Sequence, residues 1–221
     1  MRRSLARPAR LHLLPHMPCA TGRSCIPAGG ASFSTLLDLM IFLETDRLLF
    51  RSHELQDENE FVKMHTDPEV RRYVGGRAWP LEEAIHRFRN GYLGRPDNTF
   101  GLWATILKGE EKYIGACGLS SPPDKPVPSL GYYIARPYWG RGFASEASQK
   151  FLEVGFKGLR LPRVLADVQK GHAVSEHILQ KFGFKLVSEE EIPGRGRIIS
   201  LYELTKEEWQ RNSPDSAPNP I

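Results

Sequence analysis

The sequence predicts one α/β domain, and three observations carry that prediction. Strand-like and helix-like segments alternate from residue 41 to residue 209, a span of about 170 residues, ordinary for one domain. A glycine-bearing turn, Trp139-Gly140-Arg141-Gly142, joins an apolar strand-like run to an amphipathic helix-like run. The first 39 residues differ sharply in composition from everything after them.

The elements follow in order. Residues 41–52 read as a first strand, with Leu48, Leu49 and Phe50 as its apolar run. Asp57-Glu58-Asn59-Glu60 resembles a capping box and predicts a helix carrying Phe61, Val62 and Met64. Pro80 before Leu81-Glu82-Glu83-Ala84-Ile85 opens a second helix, with Phe88 on the same apolar face. Residues 100–107 and 113–119 read as strands around a Lys108-Gly109-Glu110 turn. A proline-rich loop over 120–129 leads to the strand Leu130-Gly131-Tyr132-Tyr133-Ile134. Beyond the glycine turn, Phe143, Ala147, Phe151, Val154 and Phe156 recur at helical spacing. Residues 164–168 give a further strand, and 174–182 a short helix stopped by Gly183. Residues 198–204 give the last strand, before Thr205-Lys206-Glu207-Glu208-Trp209. The expected organisation is a basic leader over 1–40, the domain over 41–210 and a disordered, proline-bearing tail over 211–221.

Charge narrows the function classes. The chain has 30 basic and 26 acidic residues, a net charge of +4 and a pI near 9.0. The first 39 residues hold Arg2, Arg3, Arg7, Arg10 and Arg23 against Asp38, which leaves 25 of each sign in the body. The body therefore has no basic excess with which to neutralise phosphates, and a nucleic-acid partner is not expected. The arginine-rich, acid-poor leader, with Pro8, Pro15, Pro18, Pro27 and Gly29-Gly30, fits a mitochondrial transit peptide. The preferred reading makes Met40 the true start, and the location cytoplasmic. His12, His16, Cys19 and Cys25 match no zinc spacing, so no metal is expected. Cys117 alone remains in the body, which suits a reducing compartment. No apolar run reaches membrane-spanning length, and no membrane partner is expected.

A strand that turns through glycines into a helix N-terminus suits a phosphorylated ligand. It presents unpaired backbone N–H groups and the positive end of a dipole, and glycine lets the ligand approach the main chain. No Gly-Lys-Ser/Thr follows, and the third position of a G-x-G-x-x-G pattern is Ser145. The Gly140-x-Gly142 pair taken alone reads equally as a tight strand-to-helix turn.

Five segments in order make the sequence recognisable: Thr66-Asp67-Pro68-Glu69-Val70, Ile114-Gly115-Ala116-Cys117-Gly118-Leu119, Gly131-Tyr132, Trp139 to Ala147, and Lys181-Phe182-Gly183-Phe184. Together they resemble the GNAT family of acetyl-CoA-dependent N-acetyltransferases, in the branch containing the ribosomal-protein N-terminal (alanine/serine) acetyltransferases. The resemblance covers roughly residues 42–209. It implies a mixed, mostly antiparallel sheet splayed between the strand ending near Ile134 and the strand of 164–168, with acetyl-CoA in the opening. The family's pyrophosphate pattern Q/R-x-x-G-x-G/A maps to Trp139, Gly140, Arg141, Gly142, Phe143 and Ala144, with Trp139 where Gln or Arg is usual. Arg141 adds charge towards a phosphate or is simply a solvated surface arginine. Free backbone at Tyr133 and Ile134 is expected to pair with the pantetheine arm.

The implied reaction is attack of a neutral amine on a thioester. The sequence departs from the family where catalysis is concerned. Leu179 stands where many members have an acidic tyrosine, and Ser129 where many have a basic glutamate. Ser175 can donate to the thiol sulfur or cap its helix. His172 can act as a base or be a solvated loop residue. Glu146 is expected to stabilise the helix dipole. Trp79, Tyr92, Trp103 and Tyr132 line a pocket or fill the core, the core being expected.

A lysine amine with pKa ~10.4 is about 0.1% neutral at pH 7.4, whereas an α-amine near ~7.8 is about a quarter to a third neutral. A site without a strong base therefore suits an α-amine, on a protein N-terminus, a peptide or a small metabolite. The alternative is a catalytically degenerate acyl-CoA-binding or regulatory module, suggested by the missing Glu and Tyr.

Overall fold

The computed structural model describes residues 43–96, 100–121, 127–194 and 196–212. The leader, the tail from 213 and the centre of the proline-rich loop lie outside the described residues. Seven strands form one sheet: β1 (Leu48–Arg51), β2 (Trp103–Leu107), β3 (Lys112–Ser120), β4 (Ser129–Ile134), β5 (Arg163–Gln169), β6 (Lys185–Ile192) and β7 (Arg197–Thr205). Their order is β1-β2-β3-β4-β5-β7-β6, and every neighbouring pair is antiparallel except β4 with β5.

Among the described residues six α-helices cover it: α1 (Glu58–Thr66), α2 (Pro68–Arg71), α3 (Leu81–Arg87), α4 (Phe143–Glu153), α5 (Ala173–Phe182) and α6 (Lys206–Asn212). Both faces of the sheet are packed. Leu130 and Ile134 share one apolar cluster with Phe143, Ala147 and Phe151 of α4 and Leu179 of α5. Tyr133, one residue out of phase, packs on the other side against the cluster of Phe61 and Met64 from α1 and Ala84 and Phe88 from the α3 segment. The period of two along β4 thus serves two cores.

The expected splay is present. β4 and β5 touch as parallel neighbours at the Ser129–Leu165 position and then part, while β3 and β7 continue to pair with them along their lengths. Antiparallel neighbours on the outer sides hold the two strands open.

β1 and β2 are shorter than the runs 41–52 and 100–107 read from the sequence, spanning Leu48–Arg51 and Trp103–Leu107. β6 is a strand in a segment that the sequence reading leaves unassigned. Its Lys185-Leu186-Val187-Ser188-Glu189-Glu190-Glu191-Ile192 sequence is mostly exposed, so neither face supplies an apolar alternation. It is an edge strand held by β7, and charge on such a strand discourages pairing with other chains. α6 runs through Asn212, past the expected boundary at 210. The capping box sits one turn earlier than expected, with Glu54 as cap and Asp57 reaching back to its N–H at 2.8 Å.

Asp57 is also the carboxylate of a bidentate pair with Arg51, at 2.7 and 2.8 Å, and is 2% exposed. Asp57→Ala leaves that guanidinium with the Ser52 carbonyl at 3.0 Å and Glu54 at 3.6 Å, and leaves the Glu54 N–H without its acceptor. Arg51 keeps some access to water, so the expected loss of unfolding free energy is about 2 kcal/mol, below the ~3–5 of a fully buried pair. Chemical denaturation checks it, and a midpoint equal to wild type would refute the pairing.

Candidate functional site

The site begins where β4 ends. After Ile134 a single tight helical turn, Arg136–Tyr138, leads to Trp139, and then Gly140 and Gly142 both take left-handed backbone, at φ 72° and 80°. Glycine adopts that conformation without strain, and a side chain at either position is disfavoured. Gly142 caps α4, and among the described residues no side chain bonds the first amides of that helix. The N–H groups of Phe143, Ala144 and Ser145 therefore end the helix uncapped beside an open turn, an arrangement that receives an anion. The Phe143 side chain lies in the core, so only its main chain faces the turn.

Two arginines flank the turn. The exposed guanidinium of Arg141 lies 4.9 Å from the centre of the Phe143 ring, and Arg47, from the loop before β1, lies 4.4 Å from it. Arg47 is tied down by Glu146 through Nε at 2.7 Å and also donates to the Arg141 carbonyl at 3.1 Å. Glu146 accepts from Thr45 and from the Arg47 backbone as well, and these donors lower its pKa against its partial burial. Its expected role at the helix dipole is thus joined by a second one, pinning the β1 approach against the glycine turn. Sequence reading did not find Arg47, which lies 94 residues from its acceptor at Arg141.

The edge of β4 corrects one expectation. Ala135 donates to the Ile114 carbonyl at 2.8 Å, and alternation from that bond makes Tyr133 and Ala116 a mutually bonded pair. The Tyr133 main chain therefore faces β3 and is not free. Ile134 turns towards the splay, but its carbonyl accepts from the indole Nε1 of Trp139 at 2.6 Å. Trp139, at the variant first position of the pattern, thus braces the turn against the strand.

On the far side of the splay, Ser175 is buried in the first turn of α5. Its Oγ lies 2.7 Å from the hydroxyl of Tyr132, which reaches across from β4. It does not cap the helix. Burial raises the Tyr132 phenol to about 12, so it remains protonated and can donate to Ser175. Leu179 is fully buried in the core. His172 is half-buried before α5 and stacks flat on Tyr73, with ring centres 4.1 Å apart. Burial lowers its pKa, so the ring is neutral near pH 7. The Tyr73 carbonyl accepts from Arg197 on β7 at 3.1 Å. His172 is therefore part of a contact that ties the α2–α3 loop to the β5–β7 half, rather than a solvated loop residue. The structure does not bring it together with Ser175 in any hydrogen bond.

Behind Tyr133, on the other face, stands an aromatic nest. His65 stacks on Trp79 at 4.4 Å, with Phe61 at 4.2 Å and Tyr133 at 5.7 Å. Burial and then the neighbouring Arg71 hold His65 down to about 3. Trp79 and Tyr92 belong to this nest, while Trp103 fills the opposite core as expected. Among the described residues no helix could cross a membrane, and no group of three His, Cys, Asp or Glu side chains could hold a metal ion.

Residues 47–185 match the family model of the acetyltransferase (GNAT) domain. The chain is 31% identical over 177 residues to the N-acetyltransferase p20 of Bacillus licheniformis, covering 76% of this chain and 97% of that protein. Among solved structures, a GNAT-family acetyltransferase from Bacillus anthracis superposes with a TM-score of 0.65 at 24% identity, over 74% of this chain and 98% of that one. Spermidine N-acetyltransferase from Vibrio cholerae, solved with CoA and spermine, shares the fold at a TM-score of 0.61 and 16% identity, over 75% of this chain and 99% of that one. On the domain match and the near full-length likeness to p20, this chain belongs to the GNAT family of acetyltransferases.

Proposed function

We propose that this protein transfers the acetyl group of acetyl-CoA to a primary amine by direct attack within a ternary complex. The favoured acceptor is an α-amino group on a protein N-terminus, a peptide or a small metabolite. The observation that carries the donor half is the β4–β5 splay ending on the left-handed Gly140–Gly142 turn and the uncapped start of α4. The residues fit the group: Gly140 has open space where a Cβ would stand, and the turn offers amides flanked by Arg47 and Arg141.

When bound, acetyl-CoA supplies a thioester and a thiolate leaving group of pKa ~8.5, which needs only modest acid help. A Tyr132 hydroxyl that donates to Ser175 leaves the Ser175 proton directed to the departing sulfur. His172, neutral near pH 7, is the remaining candidate base, and its stacking on Tyr73 fixes its ring. The ribosomal-protein N-terminal acetyltransferases remain our finer reading of the branch.

Thiol release from acetyl-CoA should be measured with Leu-, Ser-, Ala- and Met-initiated peptides beside polyamines and aminoglycosides. Turnover confined to lysine side chains would refute the α-amine reading. Acetyl-CoA binding without turnover on any amine would favour a degenerate binding module. Gly142→Val places a branched side chain on left-handed backbone, at a cost of about 1–2 kcal/mol locally. It is expected to raise the KM for acetyl-CoA at least about tenfold, and an unchanged KM would remove the turn from the donor site.

A further inference from the structure

The aromatic nest behind β4 holds a buried cation with no acid to neutralise it. Arg71 is 5% exposed, and among the described residues no carboxylate pairs with it. Its Nε donates to the Arg77 carbonyl at 3.3 Å, and its Nη1 lies 3.5 Å from His65 Nδ1. A guanidinium carries five N–H groups, so three of them have no partner among the described residues. The contrast with its neighbours is local: Arg77 and Arg87 share Glu83, Arg89 holds Glu58, and Arg51 holds Asp57. Arg71 instead lies over the Trp79 ring at 4.1 Å. Gly75 passes close to it; a Cβ there would stand 2.5 Å from Nη2.

His65 adds a second unmatched donor. Its Nδ1 faces an N–H of Arg71 and so accepts, which puts the ring proton on Nε2. That Nε2 is buried and has no partner among the described residues. These unmatched N–H groups of Arg71 and His65 lie near Tyr133, the residue before Ile134 at the mouth of the splay. Burying a cation without a counter-charge is costly unless a ligand provides one.

We propose that Arg71, supported by His65, is an anchor for a carboxylate on the acceptor, which narrows the α-amine acceptor above to an α-amino acid or a short peptide with a free carboxylate, in place of a whole protein's N-terminus. The carboxylate presents two oxygens to the guanidinium fork, and the apolar rings exclude water around the pair. A polyamine would instead bring further positive charge to a site that already holds Arg71 and Arg87 against Trp79. This rests on the transferase reading above and names its acceptor.

The test is kcat/KM, by thiol release at about pH 9, where the α-amines of peptides and amides are largely neutral. The acceptors are leucine, leucinamide, Leu-Gly, Leu-Gly-amide and spermidine. The free acid of at least one pair should exceed its amide by about tenfold or more. Arg71→Gln should bring that ratio near one with the KM for acetyl-CoA unchanged, and Arg71→Lys should restore part of it. A residue that only braced the loop would lower both members of a pair equally and leave the ratio intact. Equal rates for acids and amides, a ratio that survives Arg71→Gln, or a preference for spermidine overturns the anchor while the transferase stands. Silence with every amine overturns the transferase reading itself. If Arg71→Gln does not fold, the wild-type ratio decides alone.

Discussion

Replacing Ser175 by alanine is expected to lower kcat by about 100-fold, the low end of what a positioned proton donor contributes. The KM for acetyl-CoA should change little. Ser175 sits at the start of α5 with its Oγ 2.7 Å from the Tyr132 hydroxyl, the contact that spans the splay between β4 and α5. Tyr132→Phe removes the donor that orients Ser175 but not the serine itself, so a smaller fall, about tenfold, is expected. Because the two act through one hydrogen bond, the double variant should be no worse than Ser175→Ala alone. Steady-state kinetics on the three variants tests this. Unchanged kcat with a lowered melting temperature would make the pair a brace and not a proton route.

The second large effect is on stability against acid. His65 is fully buried and held down to about 3, first by burial and then by Arg71, His53 and Arg87. An unfolded histidine titrates near ~6.5, so the unfolded chain binds a proton that the folded one refuses. The fold keeps its full stability above that value and loses it progressively as pH falls towards 3. At pH 5 the loss from His65 alone is about 2 kcal/mol. His53, also lowered by burial, adds in the same direction. Melting temperature against pH should therefore fall steeply below pH 6 in the wild type and less steeply in His65→Phe. Parallel curves would show that His65 is protonated in the folded protein.

What the sequence made legible is what local chemistry dictates. Gly140, Gly142 and Gly183 stand at left-handed positions, and Gly142 opens and Gly183 closes a helix where the sequence placed one. Phe61, Phe143, Phe151 and Leu204 are buried because periodicity assigned them to apolar faces. The splay followed from a resemblance and is present in the register of β4 and β5.

The missed features depend on partners far along the chain. Tyr132 meets Ser175 across 43 residues, Arg47 meets Glu146 across 99, and β6 is a strand only because β7 lies beside it. Nothing near Arg71 in sequence reveals that it will be buried without an acid, since Glu69 lies two residues away but does not pair with it. The Tyr133 main chain was misplaced for a related reason. Which of two adjacent residues turns to the opening is fixed by the register with β3, and one step of register exchanges them.

That the splay and the glycine turn together hold acetyl-CoA, with the pyrophosphate on the α4 amides, is tested most directly by calorimetric titration. Wild-type protein should bind one acetyl-CoA per chain, and S-acetylpantetheine, which lacks the pyrophosphate, at least about tenfold more weakly. In Gly142→Val that difference should shrink towards none. No binding of acetyl-CoA, or equal affinity of the wild type for both ligands, would contradict the assignment of the donor site.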